Sequence, residues 1–154
     1  GNISEQTLAE EAASLLKALQ QRSKEASDAY KQPIYVGIYQ VGPRSRALSG
    51  KRIEELAHFP DMTPEEYIAG QMVYPVDLLE KNIPGFALCE FTIDKEGVIL
   101  RPHIVRSTHP EFAEEALRIV KGMPKWAPAL VEGKPTDSNY TLYIPFRPQN
   151  YRAK

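Results

Sequence analysis

The sequence predicts an α+β domain: a small antiparallel sheet with helices packed on one face, preceded by an N-terminal helix. Three observations predict it. Phe86–Ile93 alternates in the two-residue period of strands and is joined to a return strand, Val98–Arg106, across a short Asp94-Lys95-Glu96-Gly97 turn. Thr108–Met123 repeats its apolar residues at helical spacing. Asn139–Phe146 (NYTLYIPF) then returns to strand character.

The N-terminal part, residues 4–30, contains neither proline nor glycine and reads as helix. Thr7 and Glu10 fit a capping box. Leu8, Ala12, Leu15, Leu16 and Leu19 form an apolar stripe shorter than two heptads. That length suits a helix docked on its own domain, with a partner-binding or coiled-coil helix as the other reading. Pro33–Val41 is β-branched and aromatic and reads as one strand, followed by a loop over Arg44–Lys51. Arg44, Arg46, Lys51 and Arg52 make a small basic cluster, read as a solvated loop rather than an anion site. Arg52–Phe59 is ambiguous between strand and helix.

Thr63-Pro64-Glu65-Glu66 is a helix start, with a capping threonine, proline at the first helical position and a glutamate at the third. A short helix follows over Pro75–Lys81. In the first hairpin strand, Ala87, Cys89, Phe91 and Ile93 occupy one face, which places Cys89 in the core rather than in a reactive role. Thr108 and Glu111 suggest a capping box, and Gly122 with Pro124 ends that helix. Trp126, between Pro124 and Pro128, reads as a core anchor. A polar turn surrounds Glu132-Gly133-Lys134. In the last strand Tyr140, Leu142 and Ile144 face one side and Asn139, Thr141 and Tyr143 the other. Pro145 has no N–H to donate, so the strand lies at a sheet edge or ends there.

The composition excludes several functions. Lysine plus arginine is 19 and aspartate plus glutamate 20, so no net basic field draws nucleic acid. One cysteine excludes a disulfide framework, and three histidines beside it give no metal-ligand spacing. His103, Ser107 and His109 lie close in sequence, but no nucleophile elbow, HExxH motif or phosphate loop accompanies them. No cofactor and no enzymatic activity are expected.

Taken in order, several runs are specific enough to suggest a family. They are Tyr74-Pro75, Pro84-Gly85, the hairpin through Phe91-Thr92-Ile93-Asp94-Lys95-Glu96-Gly97, and Glu114-Glu115-Ala116-Leu117. Met123-Pro124-Lys125-Trp126-Ala127-Pro128, Gly133-Lys134-Pro135 and the strand ending at Pro145-Phe146 complete the set. The chain resembles the C-terminal domain of the energy transducer TonB over about residues 53–148. The resemblance divides the chain into an N-terminal extension (1–52, one helix and one strand), the TonB-like domain (53–148) and a tail (149–154).

The resemblance implies a mechanical function. Such domains grip a short extended segment, the TonB box, of an outer-membrane transporter and pass on force from inner-membrane motor proteins reached through an anchor absent from this chain. The grip is strand addition, in which an exposed strand edge lends amides and carbonyls to an incoming segment. On that basis the partner-binding residues are Asn139, Tyr140, Thr141, Leu142, Tyr143 and Ile144 at the edge, with Gln71, Val73 and Tyr74 touching the bound segment. The implied location is the periplasm, tethered to the inner membrane, and a homodimer is among the assemblies left open. The other reading is an envelope sensor or scaffold, in which the extension occupies the sheet edge.

Overall fold

The computed structural model describes residues 10–17 and 34–152. The predicted capping box at Thr7 and the stripe positions Leu8 and Leu19 lie outside these residues. Residues 10–17 are helical (α1). The remaining elements are β1 (Ile34–Val36), β2 (Tyr39–Pro43), α2 (Pro64–Gln71), α3 (Val76–Glu80), β3 (Gly85–Ile93), β4 (Ile99–Ser107), α4 (Pro110–Lys121), β5 (Ala129–Val131), β6 (Lys134–Thr136) and β7 (Ser138–Phe146). A 3-10 turn, Pro148–Asn150, follows β7.

Five strands form one sheet in the order β1-β2-β7-β3-β4, and β5-β6 form a separate hairpin. The spine is β3 against β7, antiparallel and in register from Gly85↔Phe146 to Ile93↔Ser138. Its alternation delivers two apolar faces. Ala87, Cys89, Phe91 and Ile93 join Leu142, Ile144 and Phe146 in the main core, beneath Phe112, Ala116, Ile119 and Val120 of α4. Phe86, Leu88 and Tyr143 point the other way and meet Ala12, Val36 and Val41. α2, α3 and α4 thus pack on one face of the sheet, and α1 with the β1-β2 hairpin covers the second. Within α1, Ala12 and Leu16 pack inward, while Leu15 is 39% exposed and leaves the predicted stripe.

Several local expectations change for identifiable reasons. The predicted strand Pro33–Val41 folds back on itself, because Gly37 adopts φ +64° and turns β1 into β2. Thr108 does not cap α4. Its hydroxyl instead accepts the Phe86 N–H at 3.0 Å, and its own N–H donates to Phe86 O, so the threonine extends the sheet and His109 takes the capping position. Thr63 does cap α2, accepting the Glu66 N–H at 3.1 Å. The polar turn at Glu132 and Gly133, both at positive φ, closes the β5-β6 hairpin. The ambiguous stretch is irregular backbone that bridges Glu55 to Leu130 and His58 to Ala127, with Ile53, Ala57 and Phe59 in the main core.

The β3-β4 turn and the tryptophan segment lock together. Asp94 Oδ1 accepts the N–H groups of Glu96 and Val98, and Trp126 N–H donates to Gly97 O at 2.9 Å. Trp126 is buried among Phe59, Phe91 and Tyr140, and its indole N–H has no hydrogen-bond partner among the described residues. Gly97 sits at φ +87°, and a Cβ there would stand 1.9 Å from Trp126 O. Gly97→Ala therefore carries both left-handed strain and a backbone clash. The expected loss is more than about 2 kcal/mol, measured by urea denaturation.

Cys89 is wholly buried, and desolvation, followed by the charge of Glu90, pushes its thiol up to about 12. Tyr143 is likewise pushed up to about 12 by burial. The native state keeps these protons where the unfolded chain sheds them. The stability linked to Cys89 is whole below about pH 9 and is lost as pH rises towards 12. Urea melts taken across that window should show falling stability, with a shallower slope in Cys89→Ala.

Candidate strand-accepting edge

The edge predicted at Asn139–Ile144 is only partly an edge. The Arg44 N–H donates to Asn139 O at 3.1 Å, and Gly42 and Pro43 pair with Thr141 and Tyr140. Strand alternation then points the backbone polar groups of Asn139, Thr141, Tyr143 and Pro145 away from β3. The missing N–H of Pro145 consequently falls outside the β3 ladder, which explains how a proline sits in a strand paired on that side throughout.

β2 covers only the first half of this margin. Gly42, at φ +94°, bends the chain, so Tyr39–Val41 pair with β1 while the ladder to β7 stops at Thr141. Past that point the margin enters a groove of about 860 Å³. Ala13 and Leu16 of α1 line one wall, Ile68 and Met72 of the α2 region the other, with Tyr143 and Pro145 between them. Because α1 and α2 lie on opposite faces of the sheet, the groove wraps the margin of β7.

The covering segment is fastened by Arg44. One Nη donates to Gly42 O at 3.0 Å; the other reaches Thr141 Oγ1 at 2.9 Å and Glu90 Oε2 at 3.2 Å. Glu90 Oε1 also lies 3.4 Å from His103 Nε2. Asn139 Oδ1 accepts the Thr92 hydroxyl at 2.7 Å. The remaining predicted residues of this strand are core: Tyr140 stacks on Phe91 and touches Trp126, and Leu142 and Ile144 are buried.

Gln71, Val73 and Tyr74 lie on the segment after α2 and divide in role. Tyr74 is buried edge-on to Phe112 and Phe146, its hydroxyl donates to Ile83 O at 2.5 Å, and burial raises its pKa. Val73 is 58% exposed. Its N–H donates to Glu115 Oε2 at 2.6 Å, while Arg118 Nη2 donates to Gln71 O at 2.7 Å. Glu115 and Arg118 hold each other through two bonds of 2.6 Å. This clamp, which presents Val73 outward, escaped the sequence reading; the one available signal was the i, i+3 spacing of opposite charges on α4. Among the described residues no group of three or more His, Cys, Asp or Glu could hold a metal ion.

The family model for the Gram-negative bacterial TonB protein C-terminal matches residues 70–148, just over half of the chain. The chain belongs to the TonB C-terminal family. A solved structure of the TonB2 protein from Vibrio anguillarum is similar at 25% identity, covering 61% of this chain and 83% of that one, with a TM-score of 0.42. No curated protein matches. The TonB match takes in α3, β3, β4, α4 and β5–β7, and begins within α2. The segments that cover β7 and line one wall of the groove, residues 10–17 and 34–48, precede the match.

Removing the Glu115 carboxylate strands the Val73 N–H and one face of Arg118. Glu115→Ala should cost about 2 kcal/mol and speed hydrogen exchange at the Val73 amide. Glu115→Gln, which keeps an acceptor, should lose less on both measurements.

Proposed function

We propose that this TonB-family domain, taken as residues 53–148, grips an extended segment of an outer-membrane transporter by strand addition along the outer margin of β7. Force from an inner-membrane motor then reaches the transporter through that grip. The observation that supports this reading is the groove beyond Thr141, where strand backbone pointing away from β3 runs between two walls with apolar side chains. An added strand would bond Pro145 O, and apolar side chains on it would fit Leu16 on one wall and Ile68 and Met72 on the other. Recognition through backbone needs no catalytic group and tolerates different side chains, so one domain can serve several transporters. The exposed Val73, held out by the Glu115 clamp, adds a side-chain contact beside the groove. The working compartment is the periplasm, with anchorage to the inner membrane supplied by chain beyond this sequence.

A second reading is an envelope interaction module with no transport role. The partial cover of β7 by β2 favours it, because a sheet margin that is already occupied has less backbone to offer.

Titrating the isotopically labelled chain with TonB-box peptides tests the first reading. Amide shifts should centre on Tyr143, Ile144 and Phe146, with Val73 following. No shift there at millimolar peptide would count against strand addition.

A further inference from the structure

The segment that covers the first half of β7 is held by few backbone bonds. Its backbone hold consists of two paired residues, the Arg44 N–H on Asn139 O, and the Leu48 N–H on Asp137 O at 3.1 Å. The β3 ladder on the opposite side of the same strand runs through nine residue pairs. Gly42 at φ +94° turns β2 away from Tyr143, and a Cβ at that position would meet nothing within 4 Å, so the glycine is set by its backbone conformation and not by close packing. The fastening rests instead on the Arg44 guanidinium, which crosses to Thr141 and Glu90, and on Val36 and Val41 packed against the second face.

The groove begins where this cover ends. A segment docking beside Tyr143 and Pro145 can extend towards Asn139 only by taking the backbone sites that Gly42 and Arg44 now hold. We infer that Tyr39–Leu48 is a displaceable strap: it competes with the incoming strand for Thr141 and Asn139, and the groove is the foothold from which displacement starts. The inference rests on the strand-addition reading above. It adds that full engagement is gated by this chain's own residues, which lie outside the part shared with the family. A strap that is open about a tenth of the time lowers apparent affinity about tenfold.

The test uses the whole chain and one TonB-box peptide. In the Arg44→Cys, Asn139→Cys double variant, the two positions continue the register of Gly42↔Thr141 and Pro43↔Tyr140 and are joined by the Arg44 N–H on Asn139 O; residues opposite each other in an antiparallel pair lie about 4.5–5.5 Å apart at Cα, within disulfide range. The native Cys89 is wholly buried and stays out of the exchange. Oxidation pins the strap and reduction frees it, with identical composition on both sides of the comparison. Peptide affinity should be about tenfold or more weaker in the oxidised form. Arg44→Ala alone should tighten binding relative to the unaltered chain, and it covers the case in which the double variant does not fold. Hydrogen exchange on the free chain should show the Arg44 and Thr141 amides opening before those of Leu142 and Ile144. Equal binding by the oxidised and reduced forms and by Arg44→Ala would overturn the strap and leave strand addition standing. Absence of binding in every form would overturn strand addition, and the strap with it.

Discussion

Everything in this domain is placed by the pairing of β3 with β7. The ladder is antiparallel and uninterrupted, and each residue on it is committed to one of two faces by strand alternation. A slip of one residue by β7 would send Leu142 and Ile144 to the side of α1 and bring Tyr143 beneath α4. The two apolar sets differ in shape and in what covers them, so the register is fixed from both sides. α4 and the tryptophan segment follow from one face, α1 and the β1-β2 hairpin from the other.

The same ladder decides which backbone is left over. With β3 consuming one side of β7, the outward groups of Asn139, Thr141, Tyr143 and Pro145 form its outer margin. β4, at the far edge of the sheet, carries Pro102, Arg101 at positive φ and a second arginine, Arg106, which are features that discourage edge-to-edge pairing. The two margins are thus chemically unlike. One is blunted, and the other is half covered and half set in a groove.

Much of this was legible in the sequence, and the reasons differ by element. The β3-β4 hairpin announced itself through period-two alternation and a turn with glycine where positive φ was needed. α2 and α4 were visible through threonine, proline and helical spacing. Cys89 and Trp126 were placed in the core by their neighbours, and the two faces of β7 were read off its alternation. What failed depended on contacts distant in the chain. Thr108 looks like a cap until Phe86 is known to lie beside it. Pro33–Val41 looks like one strand because Gly37 can sit in either half of backbone space. The cover over Phe86 and Leu88 was out of sight because Ala12, Val36 and Val41 come from a segment far away in sequence. The occupied half of β7 was hidden for the same reason, since Gly42 and Arg44 pair with residues about a hundred positions later. The Glu115 clamp needed knowledge that residues 71–73 return to α4.

The setting of Trp126 has a consequence for how the molecule can be watched. It is the sole tryptophan, and its ring touches Phe59, Phe91 and Tyr140 while its backbone holds the hairpin turn at Gly97. One chromophore therefore sits where the irregular segment, β3 and β7 converge. Its emission integrates the state of all three, without a label. Tyr140, one of its ring neighbours, is also the residue opposite Pro43, so the indole stands a single side chain away from the contested margin. The fold carries its own optical gauge where the main core meets the outer margin of β7.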